Sequence, residues 1–308
     1  MSAKQLEAME GATLTIEEAE PSIVWHAAAP SDRLRALLRL RFLVAPALVF
    51  AGFMAIWYLL SWRFLPIVLG RDATPEFLRS LILPYPHDVV KVAFLDPANL
   101  GSLLSGVWLD ARLSFFGLAI AISVGVLTAV AMRQARWVER SFYPYAVFLQ
   151  TVPILALVPL IGLFLGYGFS SRLIVVVIIS LFPIITNTLF GLKSADQGLH
   201  DLFTLHTDSR RVRLSKLELP ASMPAMFTGF QIAAGLSVIG AIVGDFFFQR
   251  GEKGLGNLID LYSSRLRPEE LWGAVFLSTM LGLLVFISFG WLRVRLTGHW
   301  HESAGARK

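Results

Sequence analysis

The chain has 308 residues and a mass of 34.1 kDa, with 55% hydrophobic residues, 16% charged residues and a formal net charge of +5. Soluble domains carry about 25% charged residues, so lipid is the natural solvent for this composition, and disorder, collagen and coiled coil are excluded. The absence of cysteine excludes disulfides, thiolate metal sites and cysteine nucleophiles.

Residues 1–32 hold Glu7, Glu10, Glu17, Glu18 and Glu20 against Lys4. That segment lacks the positive start and apolar run of a secretion signal, and we expect a disordered or loosely attached cytoplasmic tail. In residues 33–41, Leu34, Leu37 and Leu38 fall on one helical face among arginines. This suits a short interfacial helix on an anionic membrane surface, or equally a charged flank that orients the next segment.

A membrane span needs about 20 apolar residues. Uncharged runs at 42–62, 113–132, 141–165, 173–192, 221–244 and 271–292 predict six transmembrane helices in a domain covering 42–292. The third and fourth are separated only by a short loop with Gly166, Gly168, Ser170 and Ser171, which predicts a tight hairpin. Prolines at 46, 144, 153, 159, 183 and 224 lie in or near these runs, where packed neighbours in a membrane re-satisfy the freed backbone groups. The loop after the first span is expected to carry short interfacial helices. Most lysines and arginines flank the spans on one side, including those at 33–41, 133–140, 210–216 and 293–295. The positive-inside rule then places both termini, including the tail 293–308, in the cytoplasm.

Polar residues within the spans are Gln150, Thr151, Thr186, Asn187, Thr188, Thr228, Gln231 and serines, while Arg112 and Asp245 stand at span ends. Ion-driven machines place ionisable groups at membrane depth, and these spans have none in their middles. The six histidines lie outside the spans, and His299 with His301 lacks a third ligand for a metal site. There is no HExxH or GxSxG, which disfavours an intramembrane hydrolase. The amides have two readings, interhelical hydrogen bonding or a polar path for a solute, and Gln150, Asn187 and Gln231 are the candidates for the path. Ala233, Ser237, Gly240, Ala241 and Gly244 form a small-residue stripe, and Gly162 with Gly166 is a second close-packing pair. Such stripes pack helices within one subunit or across a dimer axis.

The chain has no GxxxxGK[ST] phosphate loop, and Gly251-Glu252-Lys253-Gly254-Leu255-Gly256 reads as a turn before an interfacial helix. A membrane protein with neither an ionisable relay nor an ATPase moves solutes passively or borrows an engine. The loop HDLFTLHTDSRRVRLSKLELP, residues 200–220, bears on that choice. Its spacing resembles the EAA loop of bacterial ABC importer permeases, with Asp201, Leu202 and Phe203 at the EAA positions, Thr207 at the glycine, and Leu217, Leu219 and Pro220 closing the motif. The two alanines and the glycine are departures, and threonine gives up easy access to positive φ. Residues 150–160, 182–192, 219–224, Thr228-Gly229 and 254–256 are similar to motifs of the nitrate/sulfonate/taurine/bicarbonate permease group.

The resemblance implies an all-α polytopic inner-membrane protein of six helices with a cytoplasmic coupling-helix loop. It also implies a cytoplasmic ATPase dimer, which holds the ATP and Mg, a second permease subunit forming a homodimer, and an extracytoplasmic solute-binding protein. The chain itself would hold no cofactor and perform no enzymatic step. The expected cargo is a small polar or anionic solute. Membrane lipid is an expected partner and nucleic acid is not. The alternative is a passive channel or stand-alone carrier without an ATPase.

Overall fold

The computed structural model describes residues 32–64, 83–207, 209–248 and 251–297. The expected tails before residue 32 and after 297, with His299 and His301, and the loop residues 65–82 lie outside them. Packing divides the chain into two units, Met1–Ala55 and Ile56–Lys308.

Helix α1 runs over Asp32–Leu59 and is followed by a π-helical turn, Leu60–Phe64. No breaker separates residue 41 from 42, so the arginine-rich stretch is not a helix of its own and continues into the apolar run. The side chains that would define its surface-seeking face lie outside the described residues.

Among the described residues, the second unit holds ten further α-helical segments. Short α2, Pro86–Val89, continues through π-helical turns Val90–Leu95 in the loop after the first span. Asp96 then caps α3, Pro97–Gln134, by accepting the Ala98 amide at 2.9 Å, with proline at the first helical position. Its 38 residues rise about 57 Å, nearly twice the ~30 Å hydrocarbon core.

The expected span at 141–165 is not one straight helix. It divides into α4, Arg136–Thr151, and α5, Ile154–Leu165, bent by 100°. Pro153 has no amide hydrogen, and it pushes Val152 to extended geometry at φ −68°, ψ 127°. Prolines 144 and 159 sit inside their helices without breaking them. At its end α5 turns through Gly166 at φ +81°, a left-handed conformation that glycine adopts without strain. This forms the hairpin into α6, Phe169–Leu192.

Helix α7 covers Gln197–His206, and α8, Arg210–Arg213, runs through a π-helical turn at Leu214–Glu218 into α9, Leu219–Phe247. Helix α10 is Leu255–Ser264 and α11 is Pro268–Thr297. Among the described residues, four helical stretches are long and apolar enough to cross a membrane: α3, α6, α8 through α9, and α11. Counted as one span the bent pair makes a fifth, and Pro46–Trp62 is a shorter apolar stretch, so the described residues form an all-α polytopic membrane protein.

Helices α3, α6 and α9 form the centre. At one end Leu103, Leu255, Leu258 and Tyr262 cluster under α10. In the middle Leu118, Ala121, Ile184, Phe230 and Ala233 meet. At the other end Met132, Ala146, Ile185, Leu189 and Leu192 pack near the start of α4. The small-residue stripe faces inward: Ala233, Ser237, Gly240, Ala241 and Gly244 are all buried. A methyl on Gly240 would lie 3.0 Å from the Val176 Cα, so the stripe lets α9 lie directly on α6 of the same chain.

Candidate translocation cavity and coupling loop

Asp196 starts α7 by accepting the Gly198 amide at 2.7 Å, which satisfies a donor that the helix leaves unpaired. The helix buries none of its residues. Leu199, Leu202 and Leu205 recur at i, i+3 and i+6, and Leu202 and Leu205 are 58% and 88% exposed. Asp201 is exposed and accepts from Gln197 Nε2 at 3.2 Å, while Phe203 and Thr207 are half-buried. Arg213 steadies the helix by donating to Thr204 Oγ1 at 3.0 Å.

Thr207 ends α7 at φ −162°, ψ 138°. This is ordinary extended backbone, so the turn here has no need of the glycine that the related motif places at this position. Its hydroxyl instead accepts the Ser209 amide at 3.2 Å, and Ser209 in turn caps α8. Leu217 is buried, and its neighbour Glu218 pairs with Arg133 of α3 at 2.6 Å. Leu219 packs against two of the core clusters, and Pro220 opens α9. The motif thus falls into two parts. Asp201, Leu202, Phe203 and Thr207 belong to a projecting helix, and Leu217, Leu219 and Pro220 anchor it to the bundle.

The bend at Pro153 opens a cavity of about 460 Å³ between the elbow and helices α6 and α9. Gln150 and Asn187 both line it, with Thr186 beside them and a wall of Ile, Leu, Val and Phe side chains. No ionisable group lines the cavity. Asn187 Nδ2 donates to the Pro183 carbonyl at 2.8 Å, leaving Oδ1 as an acceptor. Gly229 permits this arrangement, because a methyl there would sit 2.7 Å from Asn187 Cβ and 2.9 Å from the Pro183 oxygen.

Gln231 is not part of this wall. Its Nε2 lies 2.8 Å from where a Gly290 Cβ would stand, which places the amide against α11. Its neighbour Ile232 lines the cavity in its place. One helical residue is about 100° of rotation, and polarity alone does not fix that rotation.

Sequence reading missed a charged cluster at the α10 end. Arg172 is 3% exposed and pairs with Asp245, 0% exposed, at 2.7 Å. It also donates to the Phe248 and Glu252 carbonyls at 2.7 and 2.9 Å. Asp245 also accepts the Asn257 amide at 2.5 Å, and buried Asp110 accepts the Leu255 amide at 2.9 Å. The two carboxylates therefore receive the first amides of α10, where the helix dipole is positive. Gly254 fits between them, because a methyl there would meet Asp110 Oδ1 at 2.6 Å and Asp245 Oδ2 at 2.8 Å. The glycines at 254 and 256 were a signal for close backbone approach, but nothing linear joined them to residues 110 and 172.

Residues 121–298 match the family described as binding-protein-dependent transport system inner membrane component. The chain is 33% identical over 207 residues to the formylaminopyrimidine transport permease protein ThiX of Halalkalibacterium halodurans, covering 67% of this chain and 80% of that protein. It is 27% identical over 249 residues to the bicarbonate transport system permease protein CmpB of Synechococcus elongatus, covering 79% and 85% of the two chains. A solved amino acid ABC transporter structure shares the fold, with a TM-score of 0.52 and 17% identity, over 68% of this chain and 99% of that one.

Proposed function

The chain belongs to the family of binding-protein-dependent transport system inner membrane components, and on that premise we propose how it is coupled and where its solute passes. It is a multi-pass permease subunit of an ABC importer, whose ATPase and solute-binding protein are separate components. Family membership removes the passive-channel alternative.

Helix α7 docks in a cleft of the ATPase. The observation that carries this reading is the uncovered ridge of Leu202 and Leu205 on a helix with no buried residue. Apolar side chains on a projecting polar loop are covered in a working assembly. ATP and Mg bind to the partner ATPase. Its closure pushes α7, and the anchor at Leu217, Glu218 and Leu219 carries the displacement to α3 and α9. The helices then rock between two states as rigid bodies.

The cavity with Gln150 and Asn187 is half of the path, and a second copy of the chain supplies the other half. Exposed Ile232 and Ile239 on its rim support an open face that a partner completes. A wall of neutral amides and apolar groups passes a small polar or anionic solute without trapping it by charge. The relatives' names include a formylaminopyrimidine and bicarbonate, so the binding protein, and not this wall alone, selects the solute. The bias of lysine and arginine supports placing the α7 end and both termini in the cytoplasm.

Reconstitution of the full chain with its ATPase and binding protein tests the coupling. Replacing residues 201–207 with a Gly/Ser linker is expected to abolish both solute-dependent ATP hydrolysis and uptake. Unchanged hydrolysis and uptake would sink the assignment.

A further inference from the structure

A second cavity, of about 650 Å³, opens at the α7 end of the bundle between the α3–α4 corner and α8. Its size lies within the roughly 300–1,000 Å³ of small-molecule sites. Arg133, Arg136, Arg210 and Arg213 line it, with Glu218 as the sole acid. Glu218 is already engaged by Arg133, so the remaining positive charge has no counterion in the pocket. Arg136 has no partner among the described residues, and Arg210 makes one long bond, 3.4 Å, to the Gln134 carbonyl. Arg133 and Arg213 each keep a buried Nε with no hydrogen-bond partner. Four guanidinium groups held this close repel one another, and an anion relieves that repulsion while accepting from their forked donors.

We infer that this pocket binds the phosphate headgroup of an anionic phospholipid. Depth decides between a lipid and an acidic protein surface. The uncharged run 113–132 ends immediately before Arg133, so Arg133 and Arg136 stand where the hydrocarbon gives way to headgroups. Trp137 also lines the pocket and is 70% exposed, as suits an aromatic ring at the membrane interface. Basic pockets between membrane helices take anionic headgroups on this physical basis. Arg213 also holds Thr204 on α7, so an occupied pocket ties the α3–α4 corner to the coupling loop. The binding claim stands whether or not α7 docks an ATPase.

The test is native mass spectrometry of the full chain in detergent, titrated with phosphatidylglycerol or phosphatidylcholine. Phosphatidylglycerol is expected to be retained in preference. The double variant Arg136→Gln/Arg210→Gln should weaken that retention about fivefold per arginine, roughly thirtyfold for the pair. Arg140→Gln/Arg211→Gln removes equal charge outside the pocket and should retain the lipid. Should the first double variant fold poorly, Arg136→Gln alone, at an exposed position, should still show the single-arginine loss. Equal losses in both double variants would mean diffuse surface charge and overturn the site, as would equal retention of the two lipids. Displacement of phosphatidylglycerol by an equal concentration of inorganic phosphate would show a free-anion site instead. Intact lipid retention with loss of the co-purifying ATPase from Arg136→Gln/Arg210→Gln would assign the pocket to the protein partner.

Discussion

Replacing Arg172 with methionine removes the cation from a site where two buried carboxylates converge. Asp245 is left with the Asn257 amide, Asp110 with the Leu255 amide, and the Phe248 and Glu252 carbonyls lose a donor. Taking one partner from a buried ion pair costs about 3–5 kcal/mol, because the remaining charge stays out of water unpaired. Replacing both partners is far milder because no unpaired charge of the pair remains, so Arg172→Met/Asp245→Asn should lose only about 1–3 kcal/mol, the cost of leaving the Phe248 and Glu252 carbonyls without a donor. At roughly 2–4 °C per kcal/mol for a chain of this class, Arg172→Met should lower the melting temperature by on the order of 10 °C. The double variant should recover several degrees of that loss. The assay is thermal unfolding of the detergent-solubilised full chain followed by tryptophan fluorescence. A double variant that loses as much as the two single variants combined would refute a paired cluster.

Three further outcomes follow from the geometry. Gly254→Ala should cost about 1–3 kcal/mol of stability by forcing a methyl between the two carboxylates, and an unchanged melting temperature would contradict that close approach. Asn187→Leu removes the acceptor facing the cavity, worth about 1 kcal/mol or roughly fivefold in uptake, without disturbing co-purification of the ATPase. Gln231→Leu, on the α11 side, should reduce uptake less, and a larger loss than for Asn187→Leu would reverse the two assignments. Thr207→Gly restores the family residue at a position already in extended geometry. It should leave uptake within about twofold, since it only removes the bond from the Ser209 amide. A several-fold gain would show that the turn needs positive φ.

Much of the architecture was legible because hydrophobic length is a linear property. The uncharged runs at 113–132, 173–192, 221–244 and 271–292 each lie inside a long helix. The coupling loop was legible for a similar reason, since its residues are close in sequence and end at Leu219-Pro220. The elbow at Pro153 was not, because prolines 144, 153 and 159 look alike in sequence and only one of them breaks its helix. Arg172 and Asp245 stand near the ends of α6 and α9 while Asp110 lies inside α3, and only their packing brings them together. Gln231 depended on helix rotation, which polarity alone does not determine. The arginine pocket joins residues 133–137 to 210–218, two stretches that sequence shows only as charged flanks.

The central claim is that α7 is the surface on which the ATPase acts. The chain contains no cysteine, so Leu205→Cys creates a unique attachment point on the most exposed leucine of α7. A benzophenone maleimide at that position, in membranes containing the assembled transporter, is expected to photo-crosslink to the ATPase. Leu163→Cys, also well exposed, on α5 near the α10 end, is expected to give no such product. Absence of the crosslink from position 205, or an equal yield from position 163, would contradict the docking assignment.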